Sequence, residues 1–273
     1  MQEQVINIYK KSGETPLDCI HRIKNENPEL SHLPMTYAGR LDPLAEGVLL
    51  VLVGEECKEK NKYLNLSKEY EVEILFGFAT DTYDVLGKVT SSEASGFERS
   101  SDLLAEVFGK LGQTISNRSS SDFVLLIEKI LPEFVGKIKQ KYPPYSSRPV
   151  NGTPLFVWAR EGKLAEIEIP SHDVLIDNIE ILKTIEINGE DLLNDMKDKI
   201  SKVKGDFRQE EIISLWEKEL KDKKDIIFPI IKLKTSCGSG VYVRGIANEI
   251  GEKLGVPALA LKIIRTKVGE YNI

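Results

Sequence analysis

The order of apolar and polar positions predicts strands and helices in alternation, with no internal repeat. Val5-Ile6-Asn7-Ile8-Tyr9 has the β-branched alternation of a short strand. After a loop with Gly13, Thr15-Pro16-Leu17-Asp18 reads as a helix start: Thr as N-cap, Pro at the first helical position, an acid in the first turn. That helix is expected to bury Leu17, Ile20 and Ile23 and to end at Pro28. Val48 to Val53, bounded by Gly47 and Gly54, is wholly apolar and predicts a buried strand. Tyr70 to Phe76 alternates, as a strand with one wet face does, and Gly77 to Gly87 holds a polar loop. Phe123 to Ile130 predicts a helix, Ile167 to Ile187 strands, and Phe228 to Leu233 a further strand. Val243, Ile246, Ala247, Ile250 and Leu254 mark one face of a helix closed by Gly255.

Two segments differ from this pattern. Residues 91–121, rich in Ser, Gly and charge, read as a surface insertion with a short helix around Leu103 to Phe108. Residues 190–225 are dense in Lys, Glu and Asp. Their apolar positions form two helical sets, Leu192, Leu193, Met196, Ile200, Val203 and Ile212, Ile213, Leu215, Trp216, Leu220, divided by Gly205. This predicts an amphipathic helical hairpin, a packing or partner appendage rather than a chemical site. With no strict βαβ repeat, the expected architecture is a single α+β domain over residues 1–273, a mixed, largely antiparallel sheet flanked by helices.

Composition narrows the chemistry. The 273 residues are 41% apolar and 29% charged, ordinary for a globular protein. No apolar run approaches the ~18 residues of a membrane span, and Met1-Gln2-Glu3-Gln4 does not open a secretory signal, so a cytoplasmic location is expected. Three scattered cysteines and three histidines show no metal-binding spacing, and no phosphate-binding Gly-rich loop appears. Taken as a total, the net charge of −6 opposes nucleic-acid binding, but the charge is unevenly spread. Residues 137–163 carry +5 and residues 231–273 carry +4, leaving −15 elsewhere. Local basic faces, not the total, decide whether a phosphate backbone docks. The first of these stretches also holds Tyr142, Tyr145, Phe156 and Trp158.

Asp42 is the carboxylate whose surroundings stand out. Pro43 stops any helix from continuing through it, and Gly39 and Gly47 permit close approach of another backbone. Such a residue is either held at the mouth of a cleft or satisfies its own turn; these few residues do not decide which.

The wider run Gly39-Arg40-Leu41-Asp42-Pro43-Leu44-Ala45-Glu46-Gly47-Val48-Leu49 resembles the aspartate motif of the TruB family of tRNA pseudouridine synthases. Four further blocks are similar to that family, in order: Lys68-Glu69-Tyr70; Thr80 to Gly87; Pro143 to Gly152; and Cys237 to Arg244 with its Cys-x-x-Gly-x-Tyr-x-Arg pattern. The segments 91–121 and 190–225 lie outside the likeness. The resemblance implies the pseudouridine synthase fold and isomerisation of uridine in RNA, with no cofactor and no metal. It implies Asp42 as the essential carboxylate, Arg244 as its countercharge and Tyr70 as the ring that stacks on the flipped base. Tyr242 and Ile263 are implied as walls around that base, and Asp84 as a residue that binds RNA or holds its loop. The block with Arg148 is implied to grip RNA. The chain departs from the family at Tyr37, where a substrate-contacting histidine is usual, and at Arg40, which replaces a small residue as in the Arg-Leu-Asp motif of ribosomal-RNA pseudouridine synthases. No C-terminal PUA domain is expected after Arg265-Thr266-Lys267-Val268-Gly269.

The implied substrate is the T-loop uridine at tRNA position 55, bound through the T-arm by a monomeric enzyme. Two other readings stay open: a pseudouridine synthase for another RNA, and a non-catalytic tRNA-binding chaperone. An interaction scaffold would rest on residues 190–225 alone.

Overall fold

A computed structural model describes residues 4–90 and 120–273; the short helix expected around Leu103 to Phe108 lies outside them. The first strand, β1 (Gln4–Lys10), leads into α1 (Pro16–Glu26). Thr15 closes a capping box: its Oγ1 accepts from the Asp18 N–H at 3.1 Å, and the Asp18 carboxylate accepts from the Thr15 N–H at 2.8 Å. The buried face is Pro16, Cys19, Ile20 and Ile23, the i, i+3, i+4, i+7 set. Leu17 was expected on that face but lies about 100° round the helix from Pro16 and is 56% exposed.

Strands β2 (Met35–Ala38), β3 (Glu46–Val53) and β4 (Lys68–Phe76) follow, with a short helix α2 (Lys60–Leu64) before β4. Beyond residue 119 come α3 (Ser120–Ile130), β5 (Gly136–Lys141), a small ribbon of β6 (Pro149–Val150) and β7 (Thr153–Pro154), and α4 (Leu155–Arg160). The predicted strands of Ile167 to Ile187 form one long strand, β8 (Ser171–Asn188), bent where its register slips after Ile176 and after Ile181. The helical hairpin, α5 (Gly189–Ser201) and α6 (Gln209–Leu220), precedes β9 (Ile227–Cys237), α7 (Val243–Leu254), β10 (Ala258–Val268) and β11 (Tyr271–Asn272).

Among the described residues the main sheet runs β1-β3-β10-β4-β9-β8-β5, with β2 beside β3 and β11 beside β10. Its pairings are antiparallel except β3 with β10, where Glu46 and Gly47 lie opposite Ile264 and Arg265. The sheet is therefore mixed and largely antiparallel, as its sequence pattern predicts. Alternation along β4 builds two faces. Tyr70, Val72, Ile74 and Phe76 join Phe123 and Ile127 of α3 and Ile246, Ala247 and Ile250 of α7 in one core. On the other face, Glu69 and Glu71 pair with Lys234 and Lys232 of β9.

The hairpin is not an outlying appendage. Leu192, Met196 and Ile200 of α5 and Ile212, Trp216 and Leu220 of α6 form a second core with Leu75, Phe78, Leu86, Phe228 and Leu259. Trp216 is fully buried, edge-on to Phe78 at 5.2 Å between ring centroids. Replacing Trp216 with Ala removes the anchor of this core and is expected to lower unfolding stability by about 3–5 kcal/mol. Urea denaturation should show one cooperative transition at lower midpoint. A separate early transition for the hairpin would contradict its packing on the sheet through this second core.

Candidate active site

The residues from Gly39 to Ala45 form a loop between β2 and β3 that sends successive side chains to opposite destinations. Leu41 and Ala45 enter the core, 4% exposed each, while the Asp42 side chain faces a cavity and is 37% exposed. The loop is held from behind by Lys10, fully buried at the end of β1. Its Nζ donates to the carbonyls of Pro43 at 3.0 Å and Ala45 at 2.6 Å. Burial pushes the Lys10 ammonium down to about 8, opposed by nearby acids that include Asp42. A buried ammonium without such acceptors would be strongly disfavoured. Gly47 closes the loop at φ +109, where a Cβ would lie 2.2 Å from the carbonyl oxygen of Arg265. Only glycine allows that approach of β3 to β10.

Arg244 meets Asp42 from the opposite side. It stands in the first turn of α7, whose start is pinned by Gln140 of β5. The Gln140 amide donates to the Tyr242 carbonyl at 3.0 Å and accepts from the Tyr242 N–H at 2.8 Å. The Arg244 side chain is 4% exposed. Its Nε donates to Asp42 Oδ2 at 2.6 Å, one Nη to Asp42 Oδ1 and to the Tyr145 carbonyl, both at 3.4 Å, and the other Nη to the Thr82 carbonyl. Asp84 Oδ2 lies 3.6 Å from Nε. Burial works against the Arg244 charge, but Asp42 and Asp84 outweigh it and hold its pKa above the ordinary value. The cation is thus permanent, and of the two carboxylates beside it Asp42 is the more exposed to the cavity, 37% against 11% for Asp84.

The cavity has a volume of about 620 Å³, within the range of small-molecule sites. Tyr70 and Ile263 form part of its wall, with Tyr242 and Tyr145 towards the 145–147 and 239–243 loops. Burial pushes the Tyr70 phenol above its ordinary pKa, with Arg265 opposing, so the ring stays neutral. Arg265 lies beneath this wall, 1% exposed, donating to Val48 O at 2.7 Å and Gly39 O at 2.9 Å. Beside the cavity, Tyr142 stacks on His172 at 4.1 Å and meets Tyr242 edge-on at 5.8 Å, with the Arg148 guanidinium 5.2 Å above the Tyr142 ring.

Six of the residues singled out from sequence therefore share one cavity: Asp42, Tyr70, Asp84, Tyr242, Ile263 and Arg244. Arg148 lies outside its lining, on Tyr142. Tyr37 lies outside it too, on β2, packed with Ile8, Ile20, Ile23 and Val51 under the Lys60 ammonium at 5.2 Å. Sequence reasoning passed over Lys10, Gln140, Arg265 and the hairpin residues Phe207 and Arg208, the last three of which line the cavity. One signal was available: Arg265 follows Ile263 at strand spacing, so a charge occupies an inward position. Nothing local marks Lys10, Gln140 or Arg208.

No group of three or more His, Cys, Asp or Glu side chains among the described residues is placed to hold a metal ion. No helix among them is long and apolar enough to cross a membrane.

Comparison with known proteins matches the sequence to a family. The model of the TruB family pseudouridylate synthase N-terminal domain matches residues 30–124 and 112–190. The chain is 30% identical over 271 residues to tRNA pseudouridine synthase B of Ligilactobacillus salivarius, covering 98% of this chain and 68% of the relative. It is 28% identical to the protein of the same name from Fusobacterium nucleatum, covering 99% and 69%. Among solved structures it resembles a crystal structure of a Cbf5-Nop10-Gar1 complex, with a TM-score of 0.52 at 17% identity over 98% of this chain and 49% of that one. That likeness concerns the fold. The sequence matches and the cavity built around the Leu41-Asp42-Pro43 loop agree: the chain belongs to the TruB family of pseudouridylate synthases.

Proposed function

We propose that the chain isomerises uridine to pseudouridine at position 55 of the tRNA T-loop, with Asp42 as the catalytic carboxylate and no cofactor. The observation that carries this reading is the Asp42–Arg244 pair at the floor of the cavity, a reachable carboxylate held by a buried cation. The relatives named tRNA pseudouridine synthase B support tRNA as the substrate class. Isomerisation gains and loses no atoms: the N1–C1′ bond breaks, the uracil turns, and C5 bonds to C1′. What the protein must supply is a positioned carboxylate, a place for the detached base and exclusion of water. Arg244 fixes the orientation of Asp42, as a planar guanidinium can. The target nucleotide must leave its stack to reach Asp42. The neutral Tyr70 ring is the surface on which its base stacks, a contact worth ~1–3 kcal/mol, and Ile263 and Tyr242 close around it.

The RNA backbone has a matching surface. Lys137, Lys139 and Lys141 alternate along β5 with the inward Ile138 and Gln140, so their exposed ammonium groups form a row. Arg148 and Tyr142 continue from it beside the cavity. A row of this kind neutralises phosphates without reading bases.

Asp84 has a different part. Its carboxylate accepts from Thr82 Oγ1 at 2.7 Å and from the Leu86 N–H at 3.0 Å, which keeps the 80–87 loop folded around it. Burial raises its pKa to about 6; Arg244 and these hydrogen bonds oppose the rise, and Asp42 adds to it. It thus serves as a loop and Arg244 support rather than a second reacting acid.

Two measurements test this. Asp42→Asn should reduce single-turnover formation of pseudouridine in an unmodified T-arm RNA by about 10²–10⁴-fold or more while RNA binding persists. Activity retained by the variant would sink the assignment of Asp42. Wild-type modification mapped to a uridine outside the T-loop would change the substrate, and binding without modification by the wild type would favour a chaperone.

The second concerns pH. With a folded pKa raised from 3.8 to about 6, Asp84 keeps a proton in the native state that the unfolded chain has released between those values. Its contribution therefore favours the fold at low pH and is lost as pH rises from about 4 to about 6. Relative to the wild type, Asp84→Asn should gain up to about 3 kcal/mol across that window, read from urea unfolding at each pH. A difference that does not vary with pH would show an Asp84 that is ionised throughout.

A further inference from the structure

The connection between the two hairpin helices reaches the cavity through Phe207 and Arg208. Arg208 adopts a left-handed backbone conformation, φ +64, directly before α6. A residue with a Cβ pays roughly 1–2 kcal/mol for that conformation, so neighbouring contacts must hold it there. Those contacts are specific. One Nη of Arg208 donates to Asp81 Oδ2 and to the Tyr145 hydroxyl, both at 2.7 Å, and the other donates to Asp81 Oδ1 at 3.3 Å. The guanidinium carbon also lies 4.5 Å from the Tyr145 ring centroid. On the other side of the connection, Arg160 of α4 donates to the Asp206 carbonyl at 2.7 Å.

Both partners of Arg208 adjoin the acceptors of Arg244. Tyr145 offers its own carbonyl to Arg244, and Asp81 immediately precedes Thr82, whose carbonyl accepts from the other Nη. Asp81 is itself tied into its loop, accepting from the Lys88 N–H at 2.8 Å. Gly87 packs there without a side chain: a Cβ would fall 2.3 Å from Thr82 Oγ1 and 2.8 Å from Asp81 Oδ1. Arg208 thus clamps, by side chain, the two loops that hold Arg244 by backbone. Its charge is matched by Asp81, both side chains being about one-fifth exposed (18% and 24%). A guanidinium so neutralised is suited to fixing geometry rather than to attracting phosphate. Burial and Asp81 push the Tyr145 phenol up to about 12, so it remains a neutral hydroxyl under Arg208.

We propose that Arg208 is a positioning residue for the Asp42–Arg244 pair, acting through Asp81 and Tyr145, and that the helical hairpin is thereby part of the catalytic apparatus. The proposal rests on the reading that Asp42 and Arg244 carry the chemistry. It assigns to the hairpin a task in the reaction that its amphipathic sequence does not announce.

The test uses the full chain with ¹⁵N-labelled arginine. The Nε–H signal of Arg244 is assigned by its loss in Arg244→Lys, and that of Arg265 serves as an internal control. Arg265 Nε donates to the Val48 carbonyl within the sheet, not to Asp81 or Tyr145. In Arg208→Ala the Arg244 Nε–H should exchange with solvent about tenfold faster or more, with the Arg265 signal unmoved. Single turnover at saturating T-arm RNA should slow by about 10- to 100-fold, with RNA Kd within about threefold. If Arg208→Ala disturbs Arg265 as well, Arg208→Lys decides: it keeps a charge for Asp81 but not the fork that also reaches Tyr145. An intermediate change at Arg244 with Arg265 fixed is then expected. An unchanged Arg244 signal would overturn the proposal, as would a loss confined to Kd, which would mark a direct RNA contact. If the wild type leaves T-arm RNA unmodified, the substrate reading fails while the Arg244 signal still decides the role of Arg208.

Discussion

A buried guanidinium is costly unless each of its donors has a partner, and the site is organised around satisfying one. Arg244 is 3% exposed as a residue, and taking its charge out of water costs several kcal/mol before any contact is made. Its donors reach a carboxylate on the β2–β3 loop, a carbonyl on the 80–87 loop and a carbonyl on the 142–148 loop. These groups are distant in sequence, so the arginine is comfortable only when three loops are in place together. The same condition leaves Asp42 oriented and accessible. Folding energy and site geometry are in this sense one requirement.

Each loop has its own anchor. Lys10 holds the carbonyls behind Asp42, Asp84 ties the 80–87 loop through Thr82 and Leu86, and Gln140 fixes the first residues of α7. Arg265 crosses under Tyr70 to the carbonyls of Gly39 and Val48 at the place where β3 and β10 run parallel. That parallel contact admits no side chain at Gly47. The anchors are long or charged side chains whose polar ends are buried against backbone carbonyls, backbone N–H groups or a hydroxyl, an arrangement that rigidifies a site because a half-satisfied version would be worse than none. The cavity wall and its flank are left to groups of another kind: a neutral phenol, an isoleucine and the exposed lysines of β5.

The charge distribution follows from the same division. A net charge of −6 says little about a chain whose net positive charge lies in two stretches that build the cavity and its flank. Much of the acidic excess elsewhere meets lysines on helix and sheet surfaces, as in Asp195–Lys199 and Glu71–Lys232. These pairs, mostly half-buried, neutralise one another locally.

The sequence by itself determined the elements and the family. Alternation and apolar runs located β1, β3, β4, α7 and the hairpin because strand and helix periodicity are local properties of the chain. The Thr15-Pro16-Leu17-Asp18 start was legible for the same reason, although which side of α1 faced inward was not, and Leu17 proved exposed. The motif around Asp42 and the Cys237 to Arg244 block were readable through resemblance. Only the tertiary structure decided which charges met. Arg244 lies 202 residues from Asp42 and Arg208 lies 127 from Asp81, and no local pattern encodes a pairing at such separations. Lys10 looks like an ordinary surface cation in sequence, and Arg265 is marked only by its strand spacing from Ile263; what makes them structural is the set of backbone carbonyls that the sheet brings to them. The hairpin shows the limit most clearly. Its amphipathic pattern specified that it would pack, but its connection enters the cavity only because β8 and β9 set it down beside the 80–87 loop.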